Sequence, residues 1–168
     1  MKVLETERLV IRWINFDDGQ FVIDILNSTG WLDYIGDRNV KTLSDAHRYI
    51  KVKMIRDYDR VGYGMYVLEE KKTGQLIGMS GLVNRPGLEG IDLGFAFLEE
   101  YHGKGFAFEA NVAIVEHAKQ KEIKLLKAIT LPSNIPSRKL LEKLGFNLIK
   151  EFYMQGDPEL LCLYEMKL

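Results

Sequence analysis

Apolar positions along the chain follow two periods, which divide the sequence into predicted strands and helices. Residues 8–14 are rich in β-branched and aromatic side chains and predict a first strand. Apolar positions three or four residues apart then predict two helices, and Asp17 or Asp18 is placed to cap the first of them. The residues that share an apolar face are Phe21, Ile25 and Leu26 in the first helix, and Ala46, Tyr49, Ile50, Met54 and Tyr58 in the second.

The rest of the chain predicts further strands, a long helix and a short helix. The strands are expected over residues 62–68, 75–83, 89–97, 125–130, 147–154 and 160–167. The long helix should end near Lys121, and the short one should run from Ser137 to Leu144, where Gly145 stops it. The element order, with one parallel crossover around the long helix, predicts a single α+β (mixed α/β) domain over residues 1–168.

A glycine-bearing turn at residues 101–110, with the sequence YHGKGFAFEA, joins a buried strand to the long helix. Gly103 and Gly105 let the backbone approach a ligand without a Cβ in the way. The free N–H groups of the first helical turn and the helix dipole both favour an anion there. The turn therefore predicts a pyrophosphate site, although the same glycines would also serve a plain turn.

Two common nucleotide-binding patterns do not fit this turn. Phe108 stands where G-x-G-x-x-G needs its third glycine, and no Gly-Lys pair is followed by Ser or Thr. A dinucleotide-binding fingerprint and a P-loop are therefore disfavoured.

Composition narrows the class of protein. Of the 168 residues, 46% are hydrophobic, which is enough for one sizeable core. A net charge of −1 gives no general attraction to nucleic acid or to anionic membranes, and neither is expected as a partner. Cys162 is the only cysteine, and the first eight residues lack the apolar segment of a signal peptide, so a cytoplasmic protein is expected. His47 and His117 have no partner at metal-ligand spacing, so no metal is expected.

The element order, the glycine turn and the segment from Asn134 to Phe146 resemble the GNAT superfamily of N-acetyltransferases. The cofactor turn of that family has the pattern Q/R-x-x-G-x-G/A, which this chain matches at Gly105 and Ala107 and departs from at His102. The stretches at residues 5–12, 105–110 and 134–137 are similar to the Rim-type branch, the ribosomal-protein N-terminal acetyltransferases. The resemblance covers nearly the whole chain. It implies a mostly antiparallel sheet of about seven strands, splayed at the cofactor site and flanked by about four helices.

The resemblance also implies acetyl-CoA as the cosubstrate. The turn amides would hold its pyrophosphate, and Lys104 would add charge at the edge. The strand before the turn would pair with the pantetheine arm, and one of its N–H groups would polarise the thioester carbonyl. Asn134 would bond to the pantetheine region, or else would only cap the following helix. The expected cofactor-binding residues are Phe95, Ala96, Phe97, His102, Gly103, Lys104, Gly105, Phe106, Ala107 and Asn134.

The resemblance specifies the catalytic groups less precisely than the cofactor-binding residues. Many family members use a tyrosine acid on the helix after the asparagine, but here Leu141 occupies that position. Ser137 is the expected replacement, with a capping role in the helix as the alternative. Asp92 and Glu89 are candidate bases, acting directly or through water, and each also fits an ordinary solvated charge.

The leading function is an acetyl-CoA-dependent N-acetyltransferase that acts on a primary amine, of a protein N-terminus or a small molecule, by direct attack. The alternatives are an acetyl-CoA-binding sensor with weak or no turnover and an interaction module without a cofactor. The acceptor site is expected between the first strand and the second helix and in the last hairpin. The residues there, Trp31, Asp33, Tyr34, Asp37, Tyr153 and Met154, suit a cation with an apolar body. The acceptor and the oligomeric state, for which a homodimer is one option, stay open.

Overall fold

The computed structural model describes all residues from Met1 to Leu168. The strands are β1 (Lys2–Glu5), β2 (Leu9–Trp13), β3 (Met65–Glu70), β4 (Leu76–Val83), β5 (Ile91–Phe97), β6 (Leu125–Thr130), β7 (Asn147–Tyr153) and β8 (Leu160–Lys167). The α-helices are α1 (Gly19–Leu26), α2 (Thr29–Tyr34), α3 (Leu43–Tyr49), α4 (Arg56–Val61), α5 (Phe106–Gln120) and α6 (Ile135–Leu144). A π-helical segment, Ile50–Ile55, joins α3 to α4 without a break, so five separate helices result.

The structure adds one strand and one helix to those predicted. The strand is β1, four residues that pair antiparallel with β2. The helix is α2, six residues whose start is capped by the Ser28 side chain, which accepts from Trp31 N–H. The burial pattern of β1 does not alternate, and α2 is shorter than the window over which a helical period can be read, so pattern analysis detects neither element.

The predicted second helix has a four-residue repeat that explains its π-helical middle. Ala46, Ile50, Met54 and Tyr58 are all buried. In a regular α-helix, positions four apart drift around the axis by about 40° per repeat. The wider i→i+5 turns of a π-helix compensate for this drift and keep the four side chains on the core face. The helix then ends at Gly62, whose φ of 74° only glycine adopts without strain.

The eight strands form one sheet in the order β1-β2-β3-β4-β5-β6-β8-β7. Every neighbouring pair is antiparallel except β5 and β6, which are parallel. In that pair, strand pairing is limited to Ile91 with Leu126 and Asp92 with Lys127. Beyond these residues β5 continues along β4 to Phe97, whereas β6 continues along β8 to Thr130. The sheet is therefore splayed between β5 and β6, as the resemblance implied.

Helix α5 packs on β2, β4 and β5, and α6 packs on β6, β7 and α5. A buried polar link sets the position of α5 on the sheet. Ser80 Oγ on β4 donates to Asn111 Oδ1 at 2.9 Å, and Asn111 Nδ2 donates to Ala107 O at 2.7 Å. The start of α5 is thereby held beside the middle strands. None of the helices combines the length and the apolar character that a membrane-spanning segment requires.

Candidate active site

The turn between β5 and α5 leaves a row of backbone donors without partners. Gly103 and Gly105 have φ angles of 71° and 82°, in the left-handed region that favours glycine. Helix α5 begins at Phe106 without a side-chain cap. The N–H groups of residues 103–108 have no acceptor within the protein. Unpaired amides at the start of a 15-residue helix form a site for an anion.

A clamp from the beginning of the chain holds this turn in place. Glu109, in the first turn of α5, accepts from Thr6 Oγ1 at 2.6 Å, from Arg8 N at 2.8 Å and from Arg8 Nε at 2.6 Å. Arg8 Nη1 donates to Lys104 O at 2.9 Å, and its guanidinium lies 4.2 Å from the centre of the Phe106 ring. The amides of the turn are thus positioned by residues about a hundred positions away. No local sequence pattern pairs Arg8 with Glu109, so the sequence alone did not predict this clamp.

His102, which departs from the family pattern, ties the end of β5 to the turn. Its Nε2 lies 2.9 Å from Phe97 O and must be the donor, because the carbonyl oxygen can only accept. The His102 side chain is otherwise exposed. Its observed contact is therefore with the strand that leads into the turn.

Strand β5 has a free backbone edge toward β6. Leu98 N–H donates to Ile77 O, on the side of β4, at 3.0 Å. Since backbone groups of successive strand residues point to opposite sides, those of Phe95 and Phe97 face the gap and those of Ala96 face β4. Of the three residues expected to pair with a pantetheine arm, Phe95 and Phe97 have backbone groups placed to do so. Ala96 does not, because its N–H and C=O belong to the β4 ladder.

A cavity of about 770 Å³ lies beside this gap. Phe95 from β5, Ile129 and Thr130 from β6, and Asn134 and Ser137 at the start of α6 all line it. The residues of the glycine turn do not line it, so the anion site and the cavity lie at different places along the free edge of β5. This arrangement suits an elongated ligand with an anionic part at the turn and a reactive end in the cavity.

Asn134 and Ser137 share the N-terminus of α6. Asn134 Oδ1 accepts from Ser137 N–H at 3.2 Å, so the capping role that was weighed for the asparagine is present in the structure. The Asn134 amide NH₂ and the Ser137 hydroxyl make no hydrogen bond within the protein, and both residues line the cavity. The cap orients the asparagine and leaves its donor free, and the serine hydroxyl is available to a ligand.

The two candidate bases lie in different environments. Asp92 is 1% exposed, and its Oδ2 accepts from Arg85 Nε at 2.8 Å and from Arg85 Nη2 at 2.7 Å. Burial raises the pKa of Asp92 to about 6, although the Arg85 guanidinium and the backbone of Ile129 oppose the rise. Its Oδ1 is buried without a partner that meets hydrogen-bond geometry. Glu89 is exposed and does not line the cavity.

Only some of the residues expected at the acceptor site line the cavity. Trp31, Tyr34 and Met154 line it as expected, but Asp33, Asp37 and Tyr153 do not. Both aspartates are exposed, because they lie on the outer side of α2 and in the loop that follows. Tyr153 is 67% exposed on β7, the edge strand of the sheet. The acidic groups that suggested a cationic acceptor are therefore outside the cavity.

A splayed parallel strand pair beside a turn with unpaired amides defines the class: mixed α+β proteins whose sheet opens along one strand, next to an anion site at a helix N-terminus. Comparison with known proteins identifies the family. The model of the acetyltransferase (GNAT) domain matches residues 8–147. This chain belongs to the GNAT acetyltransferase family.

Individual relatives agree with this assignment. The uncharacterized N-acetyltransferase YnaD of Bacillus subtilis is 28% identical over 143 residues, which is 84% of this chain and 81% of the relative. An acetyltransferase from Agrobacterium tumefaciens superposes with a TM-score of 0.82 at 24% identity, covering 99% of this chain and 94% of that one. The ribosomal L7/L12 α-N-protein acetyltransferase RimL, solved with coenzyme A, superposes with a TM-score of 0.84 at 15% identity, covering 100% and 98%. At these identities the structural matches show the fold, and the predicted GNAT-like α+β fold and acetyltransferase class are confirmed.

Proposed function

We propose that this protein transfers the acetyl group of acetyl-CoA to a primary amine by direct attack. The observation that carries the proposal is the continuity of the unpaired amides at residues 103–108, the free edge of β5 and the cavity beside it. Acetyl-CoA has matching parts in the same order, namely a pyrophosphate, an extended amide-containing arm and a thioester. When bound, it supplies an activated acyl group.

In this proposal, different residues bind different parts of acetyl-CoA. The amides of residues 103–108 hold the pyrophosphate, and the Arg8–Glu109 clamp keeps them in place. Phe95 and Phe97 offer backbone groups to the pantetheine arm, in the manner of an added strand. The Asn134 NH₂ group is a further donor to that arm. The Phe95 N–H, which faces the gap inside the cavity, is our candidate to polarise the thioester carbonyl.

Proton transfer needs one donor and one acceptor. The Ser137 hydroxyl, free in the cavity, is our candidate to donate a proton or a hydrogen bond to the departing thiolate. For the base we favour Asp92 over Glu89. Asp92 has a pKa of about 6, suited to accepting a proton near neutral pH, and an unpaired carboxylate oxygen. Since Asp92 does not itself line the cavity, a water molecule would carry the proton from the amine to it.

Two measurements test the proposal against the alternatives. A thermal shift with acetyl-CoA should stabilise the protein, because a ligand that binds only the folded state raises its melting temperature. No shift would indicate an interaction module without a cofactor. Release of free thiol from acetyl-CoA should then depend on an added amine from a panel of peptides and small amines. Binding without amine-dependent release would indicate a sensor.

A further inference from the structure

The charged side chains that line the cavity are mainly basic. They are Arg38, Lys53, Arg56, Arg60 and Arg85, against only Asp57 and Asp157. Asp57 is already paired with Arg60 at 3.2 Å, and Arg85 is held by Asp92. Arg38, Lys53 and Arg56 form no ion pair, and their side chains are exposed at the edge of the cavity. Unneutralised positive charge therefore lies at the edge of the cavity.

The interior of the same region also offers donors without acceptors. Trp31 is 8% exposed, lines the cavity, and has an indole N–H that is buried without a partner. The Tyr49 hydroxyl makes no hydrogen bond within the protein, and its phenol lies within the electrostatic influence of Arg38 and Arg85. Because a buried indole N–H can only donate, it needs an acceptor atom from a ligand or water.

The cofactor does not account for this charge. In CoA the phosphates lie at the nucleotide end, whereas the thioester lies at the far end of a neutral pantetheine arm. The pyrophosphate site at residues 103–108 does not line the cavity, but the basic residues do, together with Phe95 and Ser137. The positive charge therefore faces the group that receives the acetyl, not the group that delivers it.

We infer that the acceptor is a primary amine that carries one or more carboxylates close to the amine, as an acidic peptide N-terminus or an acidic amino compound does. The inference rests on the proposed N-acetyltransferase function and specifies the substrate class of that site. Guanidinium groups, an indole N–H and a phenol are suitable donors to a carboxylate. Asp157, the lining carboxylate without a cationic partner, is available to the acceptor's ammonium group. Polyamines would meet repulsion at the opening.

Nearby positive charge also helps the chemistry. A cation close to an ammonium disfavours the protonated form and lowers its pKa. The amine must lose its proton before it attacks, so the same residues that attract the carboxylate assist deprotonation of the amine.

The test compares three C-terminally amidated tripeptides that differ only in side-chain charge: Ala-Glu-Glu, Ala-Gln-Gln and Ala-Lys-Lys. Acetyl transfer is followed by mass change at low salt and at fixed acetyl-CoA. We expect kcat/KM to fall in that order, with at least tenfold between the acidic and basic peptides. Equal values, or a preference for the neutral or basic peptide, would overturn the inference while leaving the proposed function intact. Transfer to none of these peptides and to no amine of a broad panel would overturn the proposed function, and the inference with it.

A matched pair of variants ties the preference to the cavity. Lys53 lines it, whereas Lys51, also exposed on the same helical segment, does not. Lys53→Gln should lower kcat/KM for the acidic peptide about fivefold more than for the neutral peptide, the scale of one ion pair at a wet surface. Lys51→Gln should change neither. Equal losses in both variants, or no loss in Lys53→Gln, would refute the assignment of the carboxylate to this cavity.

Discussion

The sharpest test of the cofactor site is a charge placed on the turn at Gly105. This residue has a φ of 82°, and a Cβ added to it meets only Arg8 Nη2, at 3.3 Å. An aspartate there carries the cost of a positive φ but its Cβ meets no other atom within 4 Å, and its carboxylate would lie among the amides of residues 103–108. If those amides bind a pyrophosphate, the new charge opposes it.

The magnitude follows from Coulomb's law. Between one carboxylate and a group of charge about −2 at a separation of roughly 6 Å, the repulsion in water is about 1.4 kcal/mol, or tenfold in affinity. Gly105→Asn is the matched control, because Asn has nearly the same shape, tolerates the left-handed region and carries no charge. The cost of positive φ is shared by both variants and cancels in the comparison.

Calorimetry with acetyl-CoA should give Gly105→Asp an affinity at least tenfold below that of Gly105→Asn, with the difference shrinking in high salt. Arg8 is close enough to partly neutralise the new carboxylate. The same exchange at Gly103, where an added Cβ meets no atom within 4 Å, provides a second comparison without that partner. Equal affinities for the Asp and Asn forms at both positions, in folded proteins, would refute a pyrophosphate on this turn.

Three further predictions concern the acid, the base and the clamp. Ser137→Ala should lower kcat about 10²-fold with acetyl-CoA affinity nearly unchanged, and an unchanged kcat would assign Ser137 to α6 structure alone. In single-turnover reactions the rate should rise with pH through about 6, as Asp92 loses its proton. Asp92→Asn should lose this rise and Glu89→Gln keep it; parental profiles in both would exclude both residues as the base. Glu109→Gln should lower the free energy of unfolding by about 1.5–3 kcal/mol and weaken acetyl-CoA binding, because Glu109 accepts hydrogen bonds from Arg8 and Thr6. Urea unfolding and calorimetry check this, and a stable variant with parental affinity would contradict the role of the clamp.

Local pattern was sufficient for much of the fold. Helix α5, the glycine turn before it and strands β4 to β8 were all predicted at nearly their observed bounds, because each is specified by periodicity and turn residues within a short window. The positive φ angles at Gly103 and Gly105 follow from the same local chemistry. The family resemblance also rested on contiguous motifs, and the family assignment agrees with it.

The candidate site depends on contacts that no local window contains. Arg8 and Glu109 lie 101 positions apart, and Asp92 acquires its raised pKa only through burial, an effect that the nearby Arg85 opposes. Ala96 was grouped with Phe95 and Phe97 by position, but strand pairing directs its backbone toward β4.

The set of charged side chains that line the cavity also depends on the tertiary structure. Asp33 and Asp37 were expected at the site but do not line the cavity, whereas Lys53 and Arg56 line it from a later helical segment. The sequence by itself determined most of the elements and the glycine turn, because hydrophobic period and glycine conformation act over a few residues. Only the tertiary structure decided which charges meet in the cavity, because that depends on how separate elements pack and which side chains they turn inward.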